Sequence, residues 1–156
     1  MKRKVLGLLI VTLAMAALFG CGKKDKEKKY DFEVSKLASE INDNIRFDEI
    51  TESPAGSKVL AVKYEIDESE IINCAVYNSS STAEEIAVIE TKDEKSADAV
   101  LEAAKKHIET QKALYESYAP DEVARLDKAI VKKLSKYVVV CVTSDTDKAN
   151  EIIDKY

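Results

Sequence analysis

Apolar residues recur every three or four positions in three segments of the chain, which is the spacing of one buried helical face. The sequence therefore predicts an N-terminal helix over 31–45, a long central helix over 96–118 and a C-terminal helix over 144–156. The central helix must end before Pro120, because proline lacks the backbone donor that a helix interior uses. Segment 121–129 predicts one or two further helical turns.

Short polar side chains mark where these three helices begin. We expect Asp31 to cap the first, Ser96 the second, and either Ser144 or Asp145 the third. The reason is that a side-chain oxygen at this position accepts a hydrogen bond from a free backbone N–H group of the first turn.

Four other segments have the composition of strands. Segments 71–78 and 84–91 are joined by a short serine-rich loop, and 129–134 is followed closely by 136–143. Segment 58–66 is ambiguous, because its apolar residues alternate as in a strand while its flanks suit a short helix. The order of elements predicts an α+β fold, in which a mostly antiparallel sheet of about four strands packs with the N-terminal, long central and C-terminal helices.

Two of these strands are apolar at every position, over 86–89 and 137–142. A strand with one face in water would alternate between apolar and polar residues. Either helices cover both faces of the sheet, or one face is a docking surface for a partner. The first alternative is favoured, since three helices can divide between two faces.

The first 20 residues have a different pattern. Three basic residues precede the uncharged apolar run 5–18, which is typical of a secretory signal peptide. The next residues, "LFGC", resemble the lipobox of bacterial lipoproteins, in which the cysteine receives a diacylglyceryl group and becomes the first residue after cleavage. The resemblance implies attachment of the chain to a membrane through Cys21. The alternative is an uncleaved transmembrane helix, for which the run is short.

The net charge differs in sign between a short basic tether and the acidic domain that follows it. The whole chain has a net charge of −5, and removal of residues 1–20 makes it −8. Residues 22–29 hold five lysines and two acids, which leaves −11 from Tyr30 onward. An acidic domain disfavours nucleic acid as a partner, whereas a basic tether suits anionic lipid headgroups. We therefore expect a signal peptide over 1–20, a lipidated cysteine and tether over 21–30, and one extracytoplasmic domain over 31–156.

Cys74 and Cys141 each lie inside an apolar segment. An exported protein can form a disulfide from such a pair. Two buried free thiols are favoured instead, because cysteine packs as a small hydrophobic residue. Neither cysteine has a basic neighbour in the sequence that would favour the reactive thiolate.

Three further motifs carry a resemblance to a known family: "AEEIAVIE", "QKALYESYAP" and "KYVVVCVTSD". With the lipobox, they resemble the small lipoproteins of low-GC Gram-positive bacteria catalogued as domain of unknown function 4358. A glycine is usual shortly before the tyrosine of the last motif, where this chain has Ser135 and Lys136. The resemblance implies an exported, lipid-anchored domain and brings no activity with it. It extends from about Asp31 to the C-terminus and rests on Glu85, Ile86, Gln111, Tyr118, Pro120, Tyr137 and Val138.

Catalytic chemistry has little support in the sequence. His107 is the only histidine, and we expect it on the partly solvated surface of the long helix. There is no CxxC or HExxH motif for zinc. Glu84 and Glu85 are neighbours in a strand and so point to opposite faces, which prevents them from acting as a glycosidase pair. We expect no enzyme activity, no metal and no cofactor.

Tyrosine is the enriched aromatic residue, with seven copies and no tryptophan. Two alternatives are open for Tyr115, Tyr118 and Tyr137: they line a groove where the long helix ends, or they lie at the edge of the core with each hydroxyl in water. The second alternative is favoured. Together with Glu85 and Gln111, Tyr118 and Tyr137 are the candidate contacts to a ligand or partner. The expected function is a noncatalytic binding or accessory module on the outer face of the membrane that contacts an envelope protein or wall component. The alternatives are a small-ligand-binding or wall-active domain and an envelope spacer.

Overall fold

The computed structural model describes residues 30–156. The predicted signal peptide, Cys21 and tether residues 22–29 lie outside this range. No helix within it is long and apolar enough to cross a membrane. The helices are α1 (Val34–Asn44), α2 (Gly56–Lys63), α3 (Glu94–Tyr115), α4 (Pro120–Leu126) and α5 (Thr146–Ile153), and the strands are β1 (Thr51–Glu52), β2 (Ile71–Asn78), β3 (Glu85–Thr91), β4 (Ile130–Leu134) and β5 (Tyr137–Val142).

The strands form one antiparallel sheet in the order β1-β2-β3-β5-β4. The predicted α+β class is confirmed. The sheet has five strands instead of about four, because β1 adds a two-residue strand beside Tyr77 and Asn78. A segment of two residues is too short to leave an alternating pattern in the sequence.

Helices cover both faces of the central strands. Ile86 and Val88 of β3 pack with α1 and α5, whereas Ala87 and Ile89 pack with α2 and α3. The alternation along β5 is the same, so every position of its apolar run is buried. The docking-face alternative is therefore wrong for β3 and β5, because the helices of the same chain already occupy both sides.

The ambiguous segment 58–66 is helical over most of its length, as α2. Leu60 and Tyr64 lie one helical turn apart and both are buried against the sheet. Val62, which strand alternation would place beside them, is 80% exposed. The pattern of buried residues therefore has the spacing of a helix and not of a strand. The helix ends before Glu65, which has the left-handed conformation with φ 55°.

The helix caps differ in part from the prediction. Asp93 caps α3 in place of Ser96, and its carboxylate accepts a hydrogen bond from the backbone N–H of Ser96 at 2.8 Å. Asp145 caps α5, as one of the two expected residues. Asp31 does not cap α1, because that helix begins three residues later and its capping position has no side-chain hydrogen bond.

Cys74 and Cys141 are free thiols, as favoured from the sequence. They lie on β2 and β5, which are separated by β3, and they face opposite sides of the sheet. A disulfide between them is therefore impossible in this fold. Burial raises the pKa of the Cys141 thiol to about 12.

The turn between β4 and β5 is formed by Ser135 and Lys136. Ser135 has φ 55°, a left-handed conformation that glycine adopts most readily. Its hydroxyl donates a hydrogen bond to Glu94 at 2.9 Å. This conformation explains why a glycine suits the turn. The hydrogen bond to Glu94 stabilises the serine that this chain has at the position.

Candidate functional site

A polar cavity of about 200 Å³ lies at the end of the sheet where β2 finishes and β3 begins. Helices α3 and α4 form its apolar wall with Ile108, Tyr115 and Leu126. Its lining also includes charged and amide side chains. The polar residues that matter for the chemistry are Lys63, Asn78, Thr82, Glu84, Glu85 and Gln111.

Glu85 is the buried charge at the centre of this site, and two helices supply its partners. Its Oε1 accepts a hydrogen bond from the hydroxyl of Tyr64 at 2.7 Å. Its Oε2 accepts from Nζ of Lys63 at 2.8 Å and lies 3.3 Å from Nε2 of His107. Both carboxylate oxygens are therefore engaged, and the bond to His107 requires a proton on Nε2.

The surroundings of Glu85 keep it ionised. Burial raises the pKa of Glu85, but the hydrogen bond from His107 and the charge of Lys63 outweigh that effect and lower the pKa to about 2. Burial and the charge of Glu85 raise the pKa of Tyr64 well above its ordinary value. The group is therefore a fixed negative charge with two donors and one cation around it.

Glu84 is a second buried carboxylate, and its two oxygens have different surroundings. Oε2 accepts hydrogen bonds from the backbone N–H groups of Asp48 at 2.9 Å and Glu49 at 3.3 Å, and from Thr82 at 3.2 Å. Oε1 has no hydrogen bond within residues 30–156 and lies 3.6 Å from Nη1 of Arg125. Oε1 is therefore a fully buried acceptor whose nearest charged neighbour is the guanidinium of Arg125.

The two glutamates point to opposite faces of the sheet, as adjacent strand positions require. Glu84 contacts the loop that follows α1, and Glu85 contacts α2 and α3. Within residues 30–156, no group of three His, Cys, Asp or Glu side chains is arranged to hold a metal ion. The two carboxylates therefore bind different elements on opposite sides of the sheet and share no partner.

Two side-chain amides lining the cavity are free to bind something else. Asn78 ends β2 and Gln111 lies in α3, and both are half-buried. In the part of the chain from Tyr30 onward, neither amide is hydrogen-bonded to another group. A second cavity of about 120 Å³ lies on the other side of Lys63 and His107 and also reaches Gln111.

Comparison with protein families gives a match over the middle of the chain. The model of the family described as Domain of unknown function (DUF4358) matches residues 47–143, which is more than half of the chain. The chain belongs to the DUF4358 family. No curated protein and no solved structure matches it. The DUF4358 segment contains all five strands, α2 to α4 and the whole cavity, whereas α1 and α5 lie outside it.

The structure brings together two of the four candidate contact residues predicted from the sequence. Glu85 and Gln111 line the same cavity of the DUF4358 segment. Tyr118 lies just beyond α3 and is 67% exposed, with its ring 5.0 Å from that of Tyr115. Tyr115 lines the cavity, so Tyr118 lies next to it.

Tyr137 is not part of the DUF4358 cavity, so the alternative of a groove lined by three tyrosines is wrong. Its side chain is 2% exposed and stacks on Phe32 with ring centroids 4.2 Å apart. It shares its sheet face with Val139, against α1 and α5, whereas Tyr115 and Tyr118 belong to the α3 side. The sheet itself separates them.

The three partners of Glu85 were missed in the sequence, and so was Asn78. His107 was expected on a partly solvated surface but is 6% exposed, because it lies one turn after Ala104 on the buried face of α3. That spacing was the available signal. Lys63 and Tyr64 fall in the ambiguous segment, and their role depends on its being a helix.

Proposed function

We propose that this DUF4358 protein is a noncatalytic, lipid-anchored binding module on the extracytoplasmic face of the cell membrane. Its ligand is a small polar component of the envelope, held in the cavity beside Glu84 and Glu85. The observation that carries the proposal is the lining of this cavity. It combines the amides of Asn78 and Gln111, which have no hydrogen-bond partner within residues 30–156, with a buried network of paired charges.

The ion pairs around the cavity support a site that exists before the ligand arrives. Buried charges are costly to desolvate and are weak evidence of stability on their own. Here they hold elements at fixed positions: Glu85 joins α2 to α3, and Arg125 of α4 pairs with Glu122 and with Asp48 at 2.9 Å each. A preorganised site loses less conformational freedom on binding.

The electrostatics favour binding over catalysis. A carboxyl group with a pKa of about 2, like Glu85, holds no proton to donate near neutral pH. The Cys141 thiol, whose pKa burial raises to about 12, is not a nucleophile at such pH. These two groups therefore support a role without proton or acyl transfer.

The start of the described domain lies at the end of the sheet away from the cavity. Phe32, which follows closely on the predicted tether, stacks on Tyr137. Tyr137 pairs with Glu90 near the far end of β3 from Glu85. The five residue steps between these glutamates span about 17 Å at about 3.4 Å per residue. A chain attached through Cys21 would thus enter the domain at the end of β3 away from the cavity.

The anchor is tested by Cys21→Ser. Each buried methylene contributes about 0.8 kcal/mol, so two acyl chains hold a protein at the membrane and their loss releases it. We expect cells fed a radioactive fatty acid to label the wild-type chain and not Cys21→Ser. Cys74→Ser, which changes a thiol within the sheet, is the matched control and should keep the label. Equal labelling of wild type and Cys21→Ser would refute the anchor.

The ligand site is tested with small molecules extracted from the cell envelope. The full chain in detergent micelles is mixed with the filtered extract, and the side-chain amide resonances are followed by NMR. We expect the resonances of Asn78 and Gln111 to shift, while that of Asn150 on α5 stays unchanged. An extract that leaves all three unchanged at saturating concentration would overturn binding at this cavity.

A further inference from the structure

We infer that the cavity binds an uncharged, hydroxyl-rich ligand of the size of one sugar ring. This inference rests on the proposed function and adds the chemical class of the ligand. It is supported by three properties of the described residues: how the charges of the cavity are paired, which hydrogen-bonding groups are left over, and how large the cavity is.

The charges of the cavity are already paired within the protein. Lys63 contacts Glu85 at 2.8 Å, and Glu84 lies 3.6 Å from Arg125. A charged ligand would bring a charge into a site whose opposite charges are engaged, and it would have to displace one partner or remain unpaired. An unpaired charge in such a site is costly. The paired lining therefore favours a ligand without net charge.

The unfilled groups call for a ligand that both donates and accepts hydrogen bonds. The amides of Asn78 and Gln111 each present an oxygen acceptor and an NH₂ donor. A hydroxyl group can both donate to and accept from an amide. Several hydroxyl groups on one small frame therefore satisfy both amides at once.

The volume and the apolar residues of the cavity limit the size and shape of the ligand. A cavity of about 200 Å³ is below the roughly 300–1,000 Å³ that is usual for drug-sized ligands. It suits one ring and not a chain of rings. Tyr115 and Leu126 add an apolar surface to the lining, against which the C–H face of a sugar ring packs.

The test compares three ligands with the same ring and different charge. Glucose is neutral, glucosamine is a cation and glucuronic acid is an anion near neutral pH. Each is titrated into the full chain, held in micelles of a detergent without a sugar headgroup, while the amide resonances of Asn78 and Gln111 are followed. We expect glucose to bind about tenfold more tightly than either charged sugar, since a mismatched charge costs at least as much as one lost hydrogen bond.

Variants locate the binding within the cavity. Asn78→Ala and Gln111→Ala should each weaken glucose binding about five- to tenfold, as the loss of one hydrogen bond predicts. The matched controls are Asn73→Ala on the same strand and Thr110→Ala on the same helix. Neither residue lines this cavity, so both variants should bind as the wild type does.

The outcomes separate this inference from the proposed function. If a charged sugar binds as tightly as glucose, or if no sugar shifts these amides, the ligand class is wrong. The ligand class is also wrong if the control variants lose as much affinity as Asn78→Ala and Gln111→Ala. The envelope extract decides the function independently, because it shifts the amides for any ligand class that the cavity accepts.

Discussion

Replacing Glu85 with glutamine is expected to lower the free energy of unfolding by about 3 kcal/mol at neutral pH, as loss of one partner from a buried ion pair does. Glutamine keeps the shape of the side chain but removes the charge that Lys63 and His107 contact. The side chain of Lys63 is 29% exposed and can turn toward water, which limits the loss. Urea unfolding of both proteins, with equal dependence on denaturant, measures the difference.

The matched control is Glu102→Gln on the exposed side of α3. The side chain of Glu102 is 71% exposed and pairs with Lys105 three residues away. Exposed pairs of this kind contribute about 0.5 kcal/mol or less. If the two substitutions cost the same, Glu85 is not the centre of the buried network.

The same variant should differ from the wild type in its response to acid. The folded-state pKa of Glu85, about 2, lies below its ordinary value of 4.5. The ionised group therefore contributes fully above about pH 4.5, and this contribution is lost as the pH falls toward 2. The difference in pKa corresponds to about 3 kcal/mol. Glu85→Gln should lack this part of the acid slope, and an unchanged slope would contradict the low pKa.

The elements predicted correctly from sequence are those in which one face repeats over several turns or the whole strand is apolar. In α3, Ala97, Val100, Ala104 and Ile108 mark the buried face through more than three helical turns. In β5, apolar residues lie on both faces of the strand. Burial of both faces was predicted because the sequence contains enough helices to cover them. A pattern of this length predicts the correct element even when the capping residue is predicted wrongly.

Short elements were harder, because two spacings can fit the same residues. Leu60 and Tyr64 are four apart, which places them on one side of a strand and also on one face of a helix. The decision came from the packing of α2 on β2, where both side chains share a buried cluster with Val76. That packing joins residues distant in the chain and leaves no mark near position 60.

Only part of the candidate site could be predicted from the sequence, for a related reason. The sequence contains 29 acidic residues, and nothing local distinguishes Glu84 and Glu85 as the buried ones. Their burial depends on partners 22 and 41 positions away, His107 and Arg125. A buried charge is specified by what surrounds it, so such a site is recognised only after the helices have been placed on the sheet.

Replacing Tyr137 with alanine is the second change with a large expected effect. The side chain is 2% exposed, stacks on Phe32 and lies among the buried residues between the sheet and α1. Removal of a buried aromatic side chain costs about 3–5 kcal/mol, since it leaves a cavity as well as losing the burial. Thermal and urea unfolding of the full chain in micelles measure the loss.

Tyr118→Ala is the matched control, because the same substitution is made at a tyrosine that is 67% exposed. It should cost less than about 1 kcal/mol, as surface changes usually do. If Tyr137 instead belonged to a ligand groove with Tyr118, both substitutions would be mild and both would disturb binding at the cavity. The structure places Tyr137 on the opposite face of the sheet, so we expect it to determine stability while glucose binding by the remaining folded protein is retained.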